Sequence, residues 1–268
     1  MERSPAVAGL FYPAEPGSLR STVARYMDEI VADAPVPVAI LVPHAGYMYS
    51  GPTAGRVYGA ITVPQHVVLL GPNHTGLGAR AAIWTGGDWQ TPLGPVPVDG
   101  EAAAELVAAH PCFEEDEQAH LQEHALEVQV PFLQSRRPDV RLVPVCLADC
   151  GLETLLEMGQ ALARVLLGRG GSWLLVISSD MTHFASREEA RRQDRLALER
   201  LEDLDPAGLY AAVRDHHITM CGVIPAVVGL AAAVELGARG VRLVDYTCSG
   251  DVTGDDRDVV AYAGLTIA

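Results

Sequence analysis

Six short, nearly continuous apolar runs constrain this chain most: Val38 to Val42, Val67 to Leu70, Leu142 to Leu147, Trp173 to Ile177, Val241 to Val244 and Val259 to Ile267. They are rich in Val, Ile and Leu and do not alternate with polar residues, which is the pattern of strands covered on both faces. Helical periodicity fills the intervals at Thr53 to Ile61, Glu101 to Ala109, Ala125 to Leu133, Leu152 to Leu167, Arg187 to Leu201 and Val223 to Leu236. Strands alternating with helices predict an α/β fold with a mixed, mostly parallel sheet flanked by helices. No repeat, low-complexity tract or Gly/Ser linker interrupts the alternation, so residues 1–268 are expected to form a single domain. At 49% hydrophobic residues the chain has enough apolar side chains for that core.

Charge and cysteine usage exclude several classes. A net charge of -15 repels phosphate backbones and anionic lipid, which argues against nucleic-acid and membrane partners. The apolar stretch from Gly222 to Leu236 contains Pro225 and Glu235 and falls short of the ~18–20 residues that span a bilayer. The opening stretch MERSPAVAGLFYPAEPG has no basic region followed by an apolar run and a cleavage site, and five cysteines are an odd number, so a reducing, cytoplasmic setting is expected. Neither a P-loop, a dinucleotide fingerprint nor a Gly-x-Ser-x-Gly elbow is present.

Ligands of open α/β sheets bind beyond the carboxyl ends of the strands. Three runs end close to a histidine there: Pro43-His44-Ala45-Gly46, Gly71-Pro72-Asn73-His74 and Ser178-Ser179-Asp180-Met181-Thr182-His183. Proline and glycine beside His44 and His74 fix the local turn, and imidazoles from two strands are a usual start for a transition-metal site. Each alone would equally serve to cap a turn. Asp180 and His183, spaced to share a face if a helical turn opens there, suit a base and its orienter. Glu123 reads as a helix cap, His124 as a cleft residue, and His110 and His120 as solvent-facing. Cys221 precedes the apolar helix, where a helix N-terminus lowers a thiol pKa. Two imidazoles and a thiolate suit Fe(II), Cu or Zn, yet spacing alone leaves Cys221 an inert buried thiol.

In this order, Ala8-Gly9-Leu10-Phe11-Tyr12-Pro13, Pro43-His44-Ala45-Gly46-Tyr47 with Ser50-Gly51, Gly71-Pro72-Asn73-His74, Glu123-His124 with Glu127, Ser178-Ser179-Asp180 with His183, and Cys221-Gly222 resemble the MEMO family. In prokaryotes that family is described as protein B of the AmmeMemoRadiSam system. The resemblance implies a fold similar to class III extradiol dioxygenases and a metal held by His44, His74 and Cys221. It further implies His183, Asp180 and His124 as catalytic candidates, with His183 moving a proton and Asp180 orienting it. The expected cofactor is one transition-metal ion, Fe(II) ahead of Cu or Zn, acting in oxidoreductase chemistry on an unknown small molecule. Alternatives are a non-catalytic metal- or peptide-binding module, since eukaryotic relatives are associated with phosphotyrosine peptides, and a zinc hydrolase. A radical-SAM protein is the partner implied, and a monomer or homodimer fits the acidic surface.

Overall fold

The computed structural model describes residues 2–27 and 29–268. Its strands in chain order are β1 (Ala39–Val42), β2 (His66–Pro72), β3 (Ala81–Ile83), β4 (Asp88–Thr91), β5 (Gly94–Pro97) and β6 (Glu114–Glu115). They continue as β7 (Arg141–Leu147), β8 (Trp173–Ser178), β9 (His183–Ala185), β10 (Val241–Cys248) and β11 (Val259–Ile267). The main sheet runs β10-β11-β1-β8-β2-β7-β3-β6, with β9 added against β11, and β4 and β5 make a separate hairpin. The four central strands β1, β8, β2 and β7 are mutually parallel. Antiparallel pairs flank them on both sides, β1 with β11 and β7 with β3. The α/β class with a mixed sheet is therefore the one observed.

Covering both faces explains the unbroken apolar runs. Ala39, Leu41, Val68, Leu70, Leu175 and Ile177 pack into one core, and Ile40, Val42, Val67, Leu69, Leu174 and Val176 into the other. Because successive side chains of a strand point to opposite faces, the runs 39–42, 67–70 and 174–177 are buried on both sides. The first core is closed by helices Leu152–Arg169 and Val223–Glu235, whose Met158, Leu162, Val227 and Leu230 are buried. The second is closed by helices Pro16–Tyr26 and Tyr47–Gly59, which contribute Leu19, Val23 and Val57. These two helices lie so close that a Cβ on Gly55 would collide with the backbone of Tyr26.

Helix boundaries depart from expectation where proline was given too much or too little weight. The helix expected from Thr53 begins at Tyr47 and carries Pro52 inside it. Pro52 cannot donate to the carbonyl one turn earlier, that of Met48, but Met48 lies at the surface. The pattern from Ala125 to Leu133 divides into a 3-10 turn, Glu127–Gln129, and a helix, Val130–Arg136, with Pro131 in its first turn. Helices Pro16–Tyr26 and Pro206–Asp215 were not foreseen. Among the described residues no helix is long and apolar enough to cross a membrane.

A buried ionic network fastens the N-terminal segment to the loop that reaches the sheet's carboxyl end. Arg3 is fully buried, with its guanidinium 2.7 Å from Glu127 Oε2 and donating to the carbonyls of His120 and Glu123. Glu127 also accepts from the amides of Ala6 and Val7 and from the Tyr12 hydroxyl. Removing one partner of such a pair strands a buried charge, which costs about 3–5 kcal/mol. His120, expected at the surface, is instead completely buried against Trp84 and Trp89, with Nε2 on the Ala82 carbonyl. The polar segment misled because its polar groups face inward onto Arg3.

Burial, reinforced by the Arg3 charge, lowers the His120 pKa to about 4. An unfolded histidine takes up its proton near 6.5, so between those values the unfolded chain binds more protons. His120 therefore contributes full stability above about pH 6.5 and loses on the order of 3 kcal/mol as pH falls toward 4. Urea unfolding of wild type and His120→Gln at pH 7 and pH 4.5 should show the smaller pH-dependent loss in the variant. Equal losses in both would contradict this assignment.

Candidate metal centre

Strands β1, β8 and β2 are adjacent and parallel, so the segments leaving their carboxyl ends share one end of the sheet. His44 stands two residues past β1, Asp180 two past β8 and His74 two past β2. Cys221 comes from the turn before helix Val223–Glu235. That turn is pressed onto the end of β8, where a Cβ on Gly222 would strike Ser179 and the Ser178 carbonyl. The Gly222 amide donates to Ser179 Oγ there at 3.1 Å. Topology thus gathers residues separated by up to 177 positions.

Each imidazole is oriented by one nitrogen, leaving the other free. His44 is buried, and its Nδ1 lies 2.9 Å from Ser178 Oγ. Ser178 donates its own hydrogen to the Ala125 carbonyl, so it accepts from His44, and the bare Nε2 faces Cys221 Sγ at 3.1 Å. His74 contacts Glu123 twice, through its amide at 2.6 Å and Nδ1 at 2.9 Å, which likewise frees Nε2. Glu123 is 1% exposed and accepts the Ala125 amide as well. A buried carboxylate on the distal nitrogen of a histidine is the usual support for a metal ligand. Sequence reasoning took Glu123 for a cap, because an acidic residue before an apparent helix carries the same signature.

The ring of His124 stacks on His74 at 4.7 Å and meets His44 edge-on at 5.4 Å. His44 and His74 are themselves edge-to-face at 5.2 Å. The Asp180 carboxylate accepts the amides of His44 at 2.7 Å and Ala45 at 3.3 Å through Oδ1. The helical turn expected at Asp180 is absent, and the chain runs extended into β9. As a result His183 is held not by an Asp180 hydrogen bond but by Thr219, which takes its amide at 2.7 Å and Nδ1 at 3.0 Å. Thr219 had no signal of its own in the sequence.

The electrostatics favour neutral His44 and His124 and oppose a free thiolate. Burial, with the neighbouring His124, His74 and His183, pushes His44 well below its ordinary pKa. Burial also lowers His124. Cys221 moves upward, through burial first and then the Asp180 charge, against the depression expected from its position before a helix. Desolvation therefore outweighs the helix end. Burial works against the Glu123 charge, but the hydrogen bond from His74 and its charge outweigh it and hold that carboxyl low.

His44, His74 and Cys221 offer one donor atom each, all within 4.8 Å of one another, and Asp180, His183 and Cys221 do the same. The donors fit a transition metal: two imidazoles, each braced through Nδ1, lie within 4.8 Å of a sulfur whose deprotonation a nearby cation would favour. Beside them opens a cavity of about 840 Å³, lined by His124, Asp180 and His183 and walled by Phe11, Tyr47 and Tyr262. The class defined is an α/β protein with a histidine and cysteine group that could hold a metal ion at the carboxyl end of its parallel strands.

The family described as Memo-like protein matches residues 3–266, and the chain belongs to it. It is 46% identical to a MEMO1 family protein of Aquifex aeolicus, over 98% of both chains. A MEMO1 family protein of Methanopyrus kandleri is 40% identical, over 99% of this chain and 98% of that one. The fold is shared with an uncharacterized protein from Escherichia coli K12, at a TM-score of 0.55 and 14% identity, covering 84% of this chain and 98% of that one.

Glu123→Gln keeps the shape of the His74 support and removes its charge. The affinity for Co(II), followed by titration, should fall about 10- to 100-fold while the fold is retained. An unchanged affinity would show that His74 needs no carboxylate.

Proposed function

We propose that this protein holds a single redox-active transition metal, Fe(II) ahead of copper, on His44 Nε2, His74 Nε2 and Cys221 Sγ. It uses that ion for dioxygenase-type oxidoreductase chemistry on a small molecule. The observation that carries the reading is the pair of back-braced imidazoles, with Ser178 behind one and Glu123 behind the other, both with a donor atom within 4.8 Å of one thiol. Zinc would accept the same donors, but a thiolate beside two imidazoles also suits Fe(II) and Cu. A redox metal bound there supplies oxygen activation and electron transfer that no side chain of this set can provide.

The protein's own groups supply the remainder. Substrate occupies the 840 Å³ cavity, whose size suits a small molecule and whose aromatic walls offer it apolar contact. With Nδ1 held by the Thr219 carbonyl, His183 keeps Nε2 toward the site and moves a proton at that atom. Asp180 braces the His44 backbone and contributes negative charge near His183, in place of the hydrogen-bonded orientation expected from spacing. His124 lines the cavity and stacks on His74, fixing that ring.

Protein purified anaerobically and given one equivalent of Fe(II) should retain one iron and consume oxygen with ascorbate as reductant. His183→Ala should keep the iron and lose about 100-fold or more of the uptake rate. Failure to retain iron, or retention of zinc with no oxygen uptake, would overturn the oxidoreductase reading.

A further inference from the structure

Cys221 Sγ belongs to two sets of donors at once. One is completed by His44 and His74, the other by Asp180 and His183. A tetrahedral ion needs four ligands, with donors about 3.3–3.8 Å apart for bonds of about 2.0–2.3 Å. Each set by itself supplies three donors of such an ion, and the one sulfur is counted in both.

Their placement separates them into two layers with the sulfur between. Asp180 and His183 line the cavity, whereas His44, His74 and Cys221 do not. The outer pair also has unused valence aimed inward. Asp180 is only 3% exposed, and its Oδ1 takes both backbone amides. Its Oδ2 accepts no hydrogen bond from any described residue, and its nearest ionic neighbour is His44 Nε2 at 4.0 Å. His183 spends Nδ1 on the Thr219 carbonyl, so Nε2 is likewise without a partner among the described residues.

We propose that Asp180 Oδ2, His183 Nε2 and Cys221 Sγ form a second divalent-cation site that shares the Cys221 thiolate with the first. The inference rests on the reading that His44, His74 and Cys221 hold the first ion. A single bridging atom sets two ions about 3.5–4 Å apart, the spacing of two-metal sites. Loading the first ion displaces the thiol proton to solvent. The thiolate and the Asp180 carboxylate then balance one divalent charge. The second ion brings the cluster to a net charge of two, so it binds more weakly, and solvent from the cavity completes its coordination. When filled, the site occupies the nitrogen that moves the proton, so excess metal inhibits proton transfer.

Titration with Co(II) alone separates the cases. In wild type, the first equivalent should bring the thiolate-to-cobalt charge-transfer band. A second, weaker equivalent should then bind and diminish the cobalt EPR signal through spin coupling across the shared sulfur. His183→Ala should bind one equivalent and keep the band, which also reports an intact first site and fold. Saturation of wild type at one equivalent with the band present would overturn the second site alone. So would a second equivalent whose EPR signal simply adds, or two equivalents in His183→Ala. Absence of the band at the first equivalent would overturn the first-site reading and, with it, this one.

Discussion

The parallel register of β1, β8 and β2 is the constraint on which the rest of the structure depends. Val42 lies beside Ser178 and Leu70 beside Ile177, so β1 and β8 end at one level and β2 one residue beyond. From the end of its strand each segment has only two residues in which to place His44, Asp180 or His74, too few to wander. A slip of one residue in any pairing would turn the strand's core side chains to the opposite face and carry the donors with it. Site geometry and core packing are thus fixed by the same alignment.

The polar groups behind the donors form a continuous buried support. Ser178 binds His44, the Ala125 carbonyl and Gln129, and Gln129 reaches back to the Pro43 carbonyl. Glu123 holds His74, while the carbonyl of Glu123 receives Arg3, which in turn pairs with Glu127. Through Glu127 the support extends to Tyr12, whose neighbour Phe11 packs on His124 at 4.7 Å. The N-terminal segment is therefore part of the site's wall rather than an appendage. Low dielectric makes every member costly to leave unpaired, which gives the donor rings one orientation.

The central strands were legible because burial on both faces removes the need for polar residues, and Val38 to Val42 or Trp173 to Ile177 display that directly. Helix Pro16–Tyr26 was not legible, since it buries little beyond Leu19 and Val23 and is otherwise polar and exposed. The strand ends disclosed His44 and His74, for there proline, glycine and histidine coincide. Cys221 could be chosen only by family resemblance, because the contact joining it to His44 spans 177 residues and leaves no local trace. Glu123 and His120 were misread for a common reason: a polar residue that faces a buried partner looks, in sequence, like one that faces water.

The central claim is that two imidazoles and one thiolate share a metal ion, and X-ray absorption on protein loaded with one equivalent of zinc reads those bonds directly. The account predicts one sulfur at about 2.3 Å and two imidazole nitrogens at about 2.0–2.1 Å. A shell of nitrogen and oxygen with no sulfur would contradict it.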